Sequence, residues 1–248
     1  MLSPEKRADR PLLYSLQVLS SIVNLIIRQT HSYEHPILPE QTKHFINRHY
    51  LMPQKDGELM NLSNRSLMAM ASLLLVALYF MPFWSIHLDA PQYPERLGLN
   101  ISIDRIEGKE EGQLQSINGL NHYIGMQEIK PDSIPELKIM PYIIGALILL
   151  GLITTFIGDH RWVLGWLILF LILAIVGFID FYIWEYNYGH NLDPDAAIQV
   201  PGMTYQPPLL GSKQLLNINA TSLPHIGFYI SLISMGIAGT IWWKSKED

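Results

Sequence analysis

Residues 162–184 read WVLGWLILFLILAIVGFIDFYIW, a run with a single charged side chain, Asp180. Three further runs, at 67–84, 139–157 and 226–243, are apolar over a similar length and hold no acidic or basic side chain. About 20 helical residues cross the hydrocarbon core of a bilayer. In lipid each backbone group must find a hydrogen-bond partner within its own segment, which a helix provides. The sequence therefore predicts an all-α integral membrane protein with four transmembrane helices.

The polar segments between these runs differ in charge, which predicts their side of the membrane. The N-terminal tail at 1–66 carries eight basic and six acidic residues. The loop at 85–138 has five against nine, and the loop at 185–225 has one against three. Basic residues are retained in the cytoplasm. We therefore expect both loops outside, with the N-terminal tail, the turn at 158–161 and the C-terminal tail at 244–248 in the cytoplasm.

Composition and missing motifs exclude several classes of function. The chain has no cysteine, which excludes disulfides, thiolate metal sites and thiol nucleophiles. The net charge is −5, and no basic patch suggests nucleic acid as a partner. The sequence contains no phosphate-binding glycine loop, no HExxH and no GxSxG motif. We therefore expect that the protein is not an enzyme.

The N-terminal tail has a predicted amphipathic segment at 12–27. Its apolar residues recur at helical spacing with polar residues between them, which is typical of a helix lying on a membrane or packing on a neighbour. A fifth crossing at this segment is the alternative, and it is the main challenge to the predicted orientation. His31 and His35 have the i, i+4 spacing of a metal pair, but a solvated tail with scattered histidines is the more ordinary interpretation.

The first outer loop predicts a small amount of regular structure. Leu99, Ile101 and Ile103 alternate with polar residues, which indicates a short strand. Residues 114–129 hold an apolar helical face, with glycines at 119 and 125 as its weak points. We expect the two outer loops to pack into one small cap containing this strand and this helix.

Leu120–Met126 reads LNHYIGM and offers a histidine and a methionine. If this segment is helical, His122 and Met126 project from one face. Imidazole and thioether together suit copper, above all Cu(I), which accepts soft ligands. Alone the signal is weak, because methionine commonly fills cores and an isolated histidine is usually just hydrogen-bonded.

The second outer loop offers the same two residue types on rigid turns. His190 stands in YGHNLDP, and Met203 follows Pro201-Gly202 and precedes a Pro-Pro pair. Such turns present a side chain at a low entropy cost. His87 and His225 are lower-ranked candidates because neither has a methionine or a rigid turn beside it. Three carboxylates can instead serve Ca²⁺, although their spacing matches no calcium loop: Glu185, Asp193 and Asp195.

Three stretches carry a resemblance to a known family: FWSIHLDAPQYPERLGLNI at 83–101, INGLNHYIGM at 117–126 and YGHNLDPDAAIQVPGMTYQPPLLGSKQLLN at 188–217. The chain resembles a bacterial multi-pass membrane-protein family encoded in nitrous-oxide reductase gene clusters, near genes for a copper-chaperone lipoprotein and an ABC-type maturation complex. The resemblance covers about 81–216 and leaves out the N-terminal tail. The family has a small polar residue where His87 stands, which puts His87 in doubt as a ligand.

The resemblance implies an inner-membrane protein that supplies copper for maturation of a periplasmic reductase. The positions it implies as copper ligands are His122, Met126, His190 and Met203. The implied partners are the reductase, the copper-chaperone lipoprotein and the ABC-type maturation complex. Two other interpretations stay open: a docking scaffold without metal, and a quinol-linked membrane component using Asp180 and nearby tyrosines.

Overall fold

The computed structural model describes residues 59–245. The predicted amphipathic helix at 12–27, the His31/His35 pair and residues 246–248 lie outside them. Within the described part the chain forms helices and strands in this order: α1 (Leu62–Leu74), β1 (Trp84–Ala90), β2 (Tyr93–Ile101), β3 (Ile106–Gly108), α2 (Gln113–Tyr123), α3 (Pro135–Ile157), α4 (His160–His190), β4 (Gly211–Leu215), β5 (Ile218–Pro224) and α5 (Ile226–Lys244). A 3₁₀ segment, Leu75–Tyr79, continues α1, and a second, Pro131–Ser133, precedes α3.

Within residues 59–245, four helical segments are long and apolar enough to cross a membrane, as the sequence predicts: α1 with its 3₁₀ continuation, α3, α4 and α5. The first ends at Tyr79, so Trp84 does not close a span but begins β1. Helix α4 has 31 residues. At 1.5 Å per residue it is roughly 46 Å long, which exceeds a hydrocarbon core of about 30 Å. The outer turns of α4 therefore extend beyond the predicted span at 162–184.

Small and hydroxylated residues allow these helices to pack closely. A Cβ atom added at Gly151 of α3 would lie 2.1 Å from Oγ of Ser72 on α1, so only glycine fits at this contact. The Ser234 hydroxyl of α5 donates to the Ala71 carbonyl at 2.7 Å. The Trp166 indole of α4 donates to the Leu147 carbonyl of α3 at 2.8 Å. Such contacts replace the hydrophobic driving force that is missing between helices in lipid.

The prediction of an all-α fold is wrong. Within residues 59–245, the segments between the candidate spanning helices form a five-stranded antiparallel sheet in the order β3-β2-β1-β5-β4. The predicted strand around Leu99 and Ile101 lies in β2, while the other four strands were not predicted. The physical reason is that the central pairing joins residues far apart in the chain, such as Trp84 with Pro224 and Asp89 with Asn219. A local sequence pattern does not show which distant segment a strand will pair with.

The sheet joins both outer loops into one cap. Strand β1 follows the first spanning helix and β5 leads directly into α5, and these two strands pair at the centre of the sheet. Helix α2 lies against the inner face of the sheet. Its buried Ile117 and Leu120 belong to one apolar core with Ile86 and Leu99 of the strands. The cap therefore has its own core.

Trp84 connects this cap to the helix bundle. Its ring meets Phe178 and Phe181 of α4 and Phe228 of α5 edge-on, with centroids 5.6, 5.8 and 5.7 Å away. Its indole N–H donates to the Ser222 hydroxyl of β5 at 2.7 Å. Edge-to-face aromatic pairs add to the stabilisation that comes from burial alone. The cap is therefore fixed on the outer ends of α4 and α5.

Candidate functional site

The LNHYIGM segment is only partly helical. Helix α2 ends at Tyr123, and Gly125 adopts a left-handed conformation with φ of 80°. The Met126 N–H bonds to the Asn121 carbonyl at 2.9 Å and the Gly125 N–H to the His122 carbonyl at 3.3 Å. These two bonds define a Schellman motif, which commonly ends helices at glycine.

His122 and Met126 therefore do not share a helix face, and that expectation is wrong. His122 is exposed on the last turn of α2. Met126 lies beyond the left-handed glycine and lines a cavity inside the cap. Gly125 acts as the helix stop, so the spacing of four residues no longer implies neighbouring side chains.

The second segment begins at the end of α4, where His190 is the last residue of the helix, so the prediction that a tight turn presents His190 is wrong. The His190 ring stacks on Tyr186 with centroids 3.8 Å apart and an angle of 17° between planes. Its Nδ1 lies 2.9 Å from the Tyr186 carbonyl oxygen. Because a carbonyl can only accept, Nδ1 donates in this contact, which leaves Nε2 as the ring nitrogen available to a metal. Metal-binding histidines commonly have this arrangement.

Met203 ends a tight turn. Its N–H bonds to the Val200 carbonyl at 3.1 Å, and Gly202 has φ of 76°. Proline followed by a left-handed glycine is the pattern of a type II turn. Two residues on, the Tyr205 N–H bonds to the Gly189 carbonyl at 2.9 Å. This bond ties the chain two residues after the Met203 turn to the last turn of α4.

Backbone hydrogen bonds join the two candidate segments. The Asp193 N–H donates to the Gly125 carbonyl at 2.8 Å, and the Ile198 N–H donates to the Tyr123 carbonyl at 2.9 Å. A Cβ atom at Gly125 would lie 2.9 Å from Cβ of Ala196, so the close approach requires glycine. Both LNHYIGM and the loop carrying His190 and Met203 therefore lie together in the cap.

No three His, Cys, Asp or Glu side chains within residues 59–245 are placed to hold a metal ion together. This finding covers His, Cys, Asp and Glu side chains only. A metal site that includes methionine thioethers therefore stays a prediction. Asp193 and Asp195 are exposed, whereas Glu185 is buried in the cap, so the three do not form a calcium site.

His87 and His225 lie apart from the two candidate segments. His87 follows Ile86 and precedes Leu88, which both line the cavity, so alternation along β1 directs His87 to the other face of the sheet. Burial lowers the pKa of His87, and Lys109 lowers it further. His225 precedes the first residue of α5, and its Nδ1 has no hydrogen-bond partner among the described residues. Neither histidine lines the cavity.

The most distinctive feature of the cap is a cavity of about 170 Å³ that sequence reasoning missed. Its walls come from the inner face of the sheet, α2, the outer end of α4 and the loop before β4. Glu185 and Tyr205 line it and are 0 % and 1 % exposed. Neither the two carboxyl oxygens of Glu185 nor the Tyr205 hydroxyl has a hydrogen-bond partner within the described part of the chain.

The sequence indicates Glu185 only as a hard oxygen donor. It stands among tyrosines and a tryptophan at the end of an apolar run, where a carboxylate normally reaches water. Its burial results from β5, α2 and the second loop closing over the end of α4, and no local pattern shows that closure. Comparison with models of protein families and with curated proteins found no match for the chain.

Proposed function

We propose that the protein is a non-enzymatic, membrane-anchored copper-handling protein of the bacterial inner membrane, acting in maturation of nitrous-oxide reductase. Its four apolar helices anchor it in the bilayer, and its cap binds Cu(I) through His122, Met126, His190 and Met203. The observation that carries the proposal is the pair of backbone hydrogen bonds from Asp193 and Ile198 to the LNHYIGM segment.

The chemistry of the donors supports Cu(I) as the bound ion. His190 keeps a free Nε2 because its Nδ1 is engaged with Tyr186. The Met203 turn is held to the same end of α4 by the bond from Tyr205 to Gly189. Thioether and imidazole ligands are neutral and soft, and they favour Cu(I) over hard divalent ions. Of the four proposed ligands, His122 is exposed, whereas Met126, His190 and Met203 are partly buried.

Copper content tests this proposal directly. The full-length protein is purified in detergent, loaded with Cu(I) under reducing conditions and analysed for copper per chain. We expect about one copper in the wild type and none in the variant that replaces all four ligands by alanine. The matched control replaces His87 and Met81, the same residue types at other positions outside the proposed site. Full copper content in the fourfold variant would refute the site.

The proposed orientation places the cap in the periplasm and both termini in the cytoplasm, because basic residues flank the other ends of the spans. A cysteine-free chain allows single reporter thiols. Ser212 is exposed on β4 and Ser63 is exposed near the start of α1. In spheroplasts a membrane-impermeant maleimide should label S212C at once and S63C only after lysis. The reverse pattern would invert the topology.

A docking scaffold for the reductase or its maturation machinery is the second candidate. Tyr123, Ile198 and Val200 are 58 %, 45 % and 41 % exposed. The Ile198–Tyr123 backbone bond makes the first two neighbours on the surface of the cap. Exposed apolar groups of this kind suit a protein interface. A protein that purifies without copper, yet retains a reductase partner that Tyr123→Ser with Ile198→Ser releases, would favour docking over copper handling.

A further inference from the structure

The cavity in the cap has an exposed entrance and a buried base. Tyr123, Ile198 and Leu216 line it and are 58 %, 45 % and 36 % exposed, so they form its rim. Glu185 and Tyr205 are fully buried and form its base. An engineered protein cavity of about 150 Å³ accommodates benzene, so the cavity in the cap has room for a ligand of about that size. The shape is that of a binding chamber for a small molecule.

The carboxyl group at the base has no charge partner within residues 59–245. Moving an unpaired carboxylate out of water costs several kcal/mol or more, and a protein offsets that cost either by pairing the carboxylate with a cation or by keeping the group protonated. Among residues 59–245, no Lys, Arg or His lines the cavity and no ion pair includes Glu185. A cation that entered the cavity would supply the missing partner.

Aromatic rings surround the same chamber. Trp184 and Tyr188 line it with their rings 4.4 Å apart, and Tyr123 and Tyr205 line it from α2 and the second loop. The faces of Trp and Tyr rings attract organic cations, most strongly where water is excluded. A carboxyl group within aromatic walls is therefore a combination suited to an ammonium group.

We propose that this cavity binds a small organic ammonium ion whose apolar part is about the size of benzene. The ammonium group pairs with the Glu185 carboxylate and is further stabilised by the aromatic walls. The apolar part lies against Leu120, Ile117 and Ile86, which line the cavity between α2 and the sheet. This site adjoins the proposed copper site, because Met126 lines the cavity whereas His122, His190 and Met203 do not.

Three probes of the same size test the proposal: benzylammonium, benzyl alcohol and benzoate. Each is titrated calorimetrically into the full-length protein in detergent with a copper chelator present, and a titration into detergent alone is subtracted. We expect one benzylammonium per chain, at least about tenfold weaker binding of benzyl alcohol, and no measurable binding of benzoate. Equal binding of the alcohol and the ammonium would overturn the proposal, because the carboxyl group would then select no charge. Absence of benzylammonium binding would overturn it as well.

Two variants locate the binding. Glu185→Gln keeps the shape and removes the charge, and should weaken benzylammonium binding roughly 30-fold or more. Glu95→Gln removes an exposed carboxylate elsewhere in the cap and should leave binding within about twofold. Unchanged binding in the Glu185→Gln variant would contradict the assigned site. If that variant does not fold, Tyr205→Phe provides the test. Loss of the Tyr205 hydroxyl at the bottom of the cavity should weaken benzylammonium binding about two- to tenfold. Unchanged binding in Tyr205→Phe would place the ligand elsewhere and reject the proposal.

Discussion

Replacing Gly125 by alanine should separate the two segments that meet in the cap. Gly125 has φ of 80°, a conformation that residues with a Cβ atom rarely adopt. The added Cβ would lie 2.9 Å from Cβ of Ala196 and 3.0 Å from the Asp193 carbonyl oxygen. Both neighbours belong to the second loop, so the substitution acts on the contact between the segments as well as on the backbone of Gly125.

The expected cost follows from two contributions. A left-handed conformation costs a residue with a Cβ atom roughly 1–2 kcal/mol. The displaced loop also loses the Asp193–Gly125 hydrogen bond, a net contribution of about 0.5–1.5 kcal/mol. Together they amount to roughly 1.5–3.5 kcal/mol, which raises the opening equilibrium of the loop about tenfold to a few hundredfold.

Hydrogen exchange of the full-length protein measures this opening. In Gly125→Ala the amides of Asp193 and Ile198 should exchange faster by that factor, because both bond to the LNHYIGM segment. Gly119→Ala, within α2, is the matched control, since its Cβ would have nothing within 4 Å. If the amides of Asp193 and Ile198 exchange at the same rate in the two variants, the contact between Gly125 and the second loop does not hold that loop in place.

Three further predictions concern the anchor, the buried carboxyl group and pH. Trp84→Ala should lower the free energy of unfolding by about 3–5 kcal/mol. Trp162→Ala should change the free energy of unfolding little, because the Trp162 side chain is 53 % exposed. Equal effects of the two substitutions would contradict the anchoring role of Trp84. Glu185→Met should raise the free energy of unfolding of the ligand-free protein by about 1–3 kcal/mol, because an apolar side chain replaces a buried carboxyl group that has no partner. A lower thermal midpoint in this variant would contradict the burial of Glu185 without a partner. Burial and Lys109 lower the pKa of His87 in the folded protein below its ordinary value of 6.5. As the pH falls below 6.5, His87 therefore takes up a proton more readily in the unfolded chain than in the folded protein, and the folded state loses stability. His87→Gln should therefore reduce the fall in thermal midpoint between about pH 7.5 and about pH 5.5, and an unchanged fall would count against this cause.

The helices were predictable because their signal is local. A run such as 162–184 must be helical in lipid whatever the remainder of the chain does. The strands other than β2 were not predicted, although Trp84, Ile86 and Leu88 alternate with Ser85, His87 and Asp89. That alternation directly follows an apolar run, so it resembles the end of a span and the start of a loop. Its partner, β5, stands more than 120 residues later, so the pairing depends on tertiary structure.

The candidate site was predictable in its segments but not in its geometry. The turns at Gly125 and Gly202 are marked by glycine, and both have positive φ. Treating Gly125 as a helix stop would have separated His122 from Met126, since a glycine after a helix commonly ends it. The cavity around Glu185 could not be predicted, because its walls come from elements that are distant in sequence.

Strands from both segments between the spanning helices form one sheet, on which the proposed metal site and the cavity both depend. Asp89 on β1 and Asn219 on β5 are directly paired, and the chain has no cysteine of its own. Oxidation of the Asp89→Cys, Asn219→Cys protein in membranes should form a disulfide that protects both thiols from maleimide. Glu107→Cys with Asn219→Cys should stay reduced, since β3 and β5 are three strand spacings, about 14 Å, apart. Free thiols in the first pair, or equal oxidation of both pairs, would contradict the single sheet.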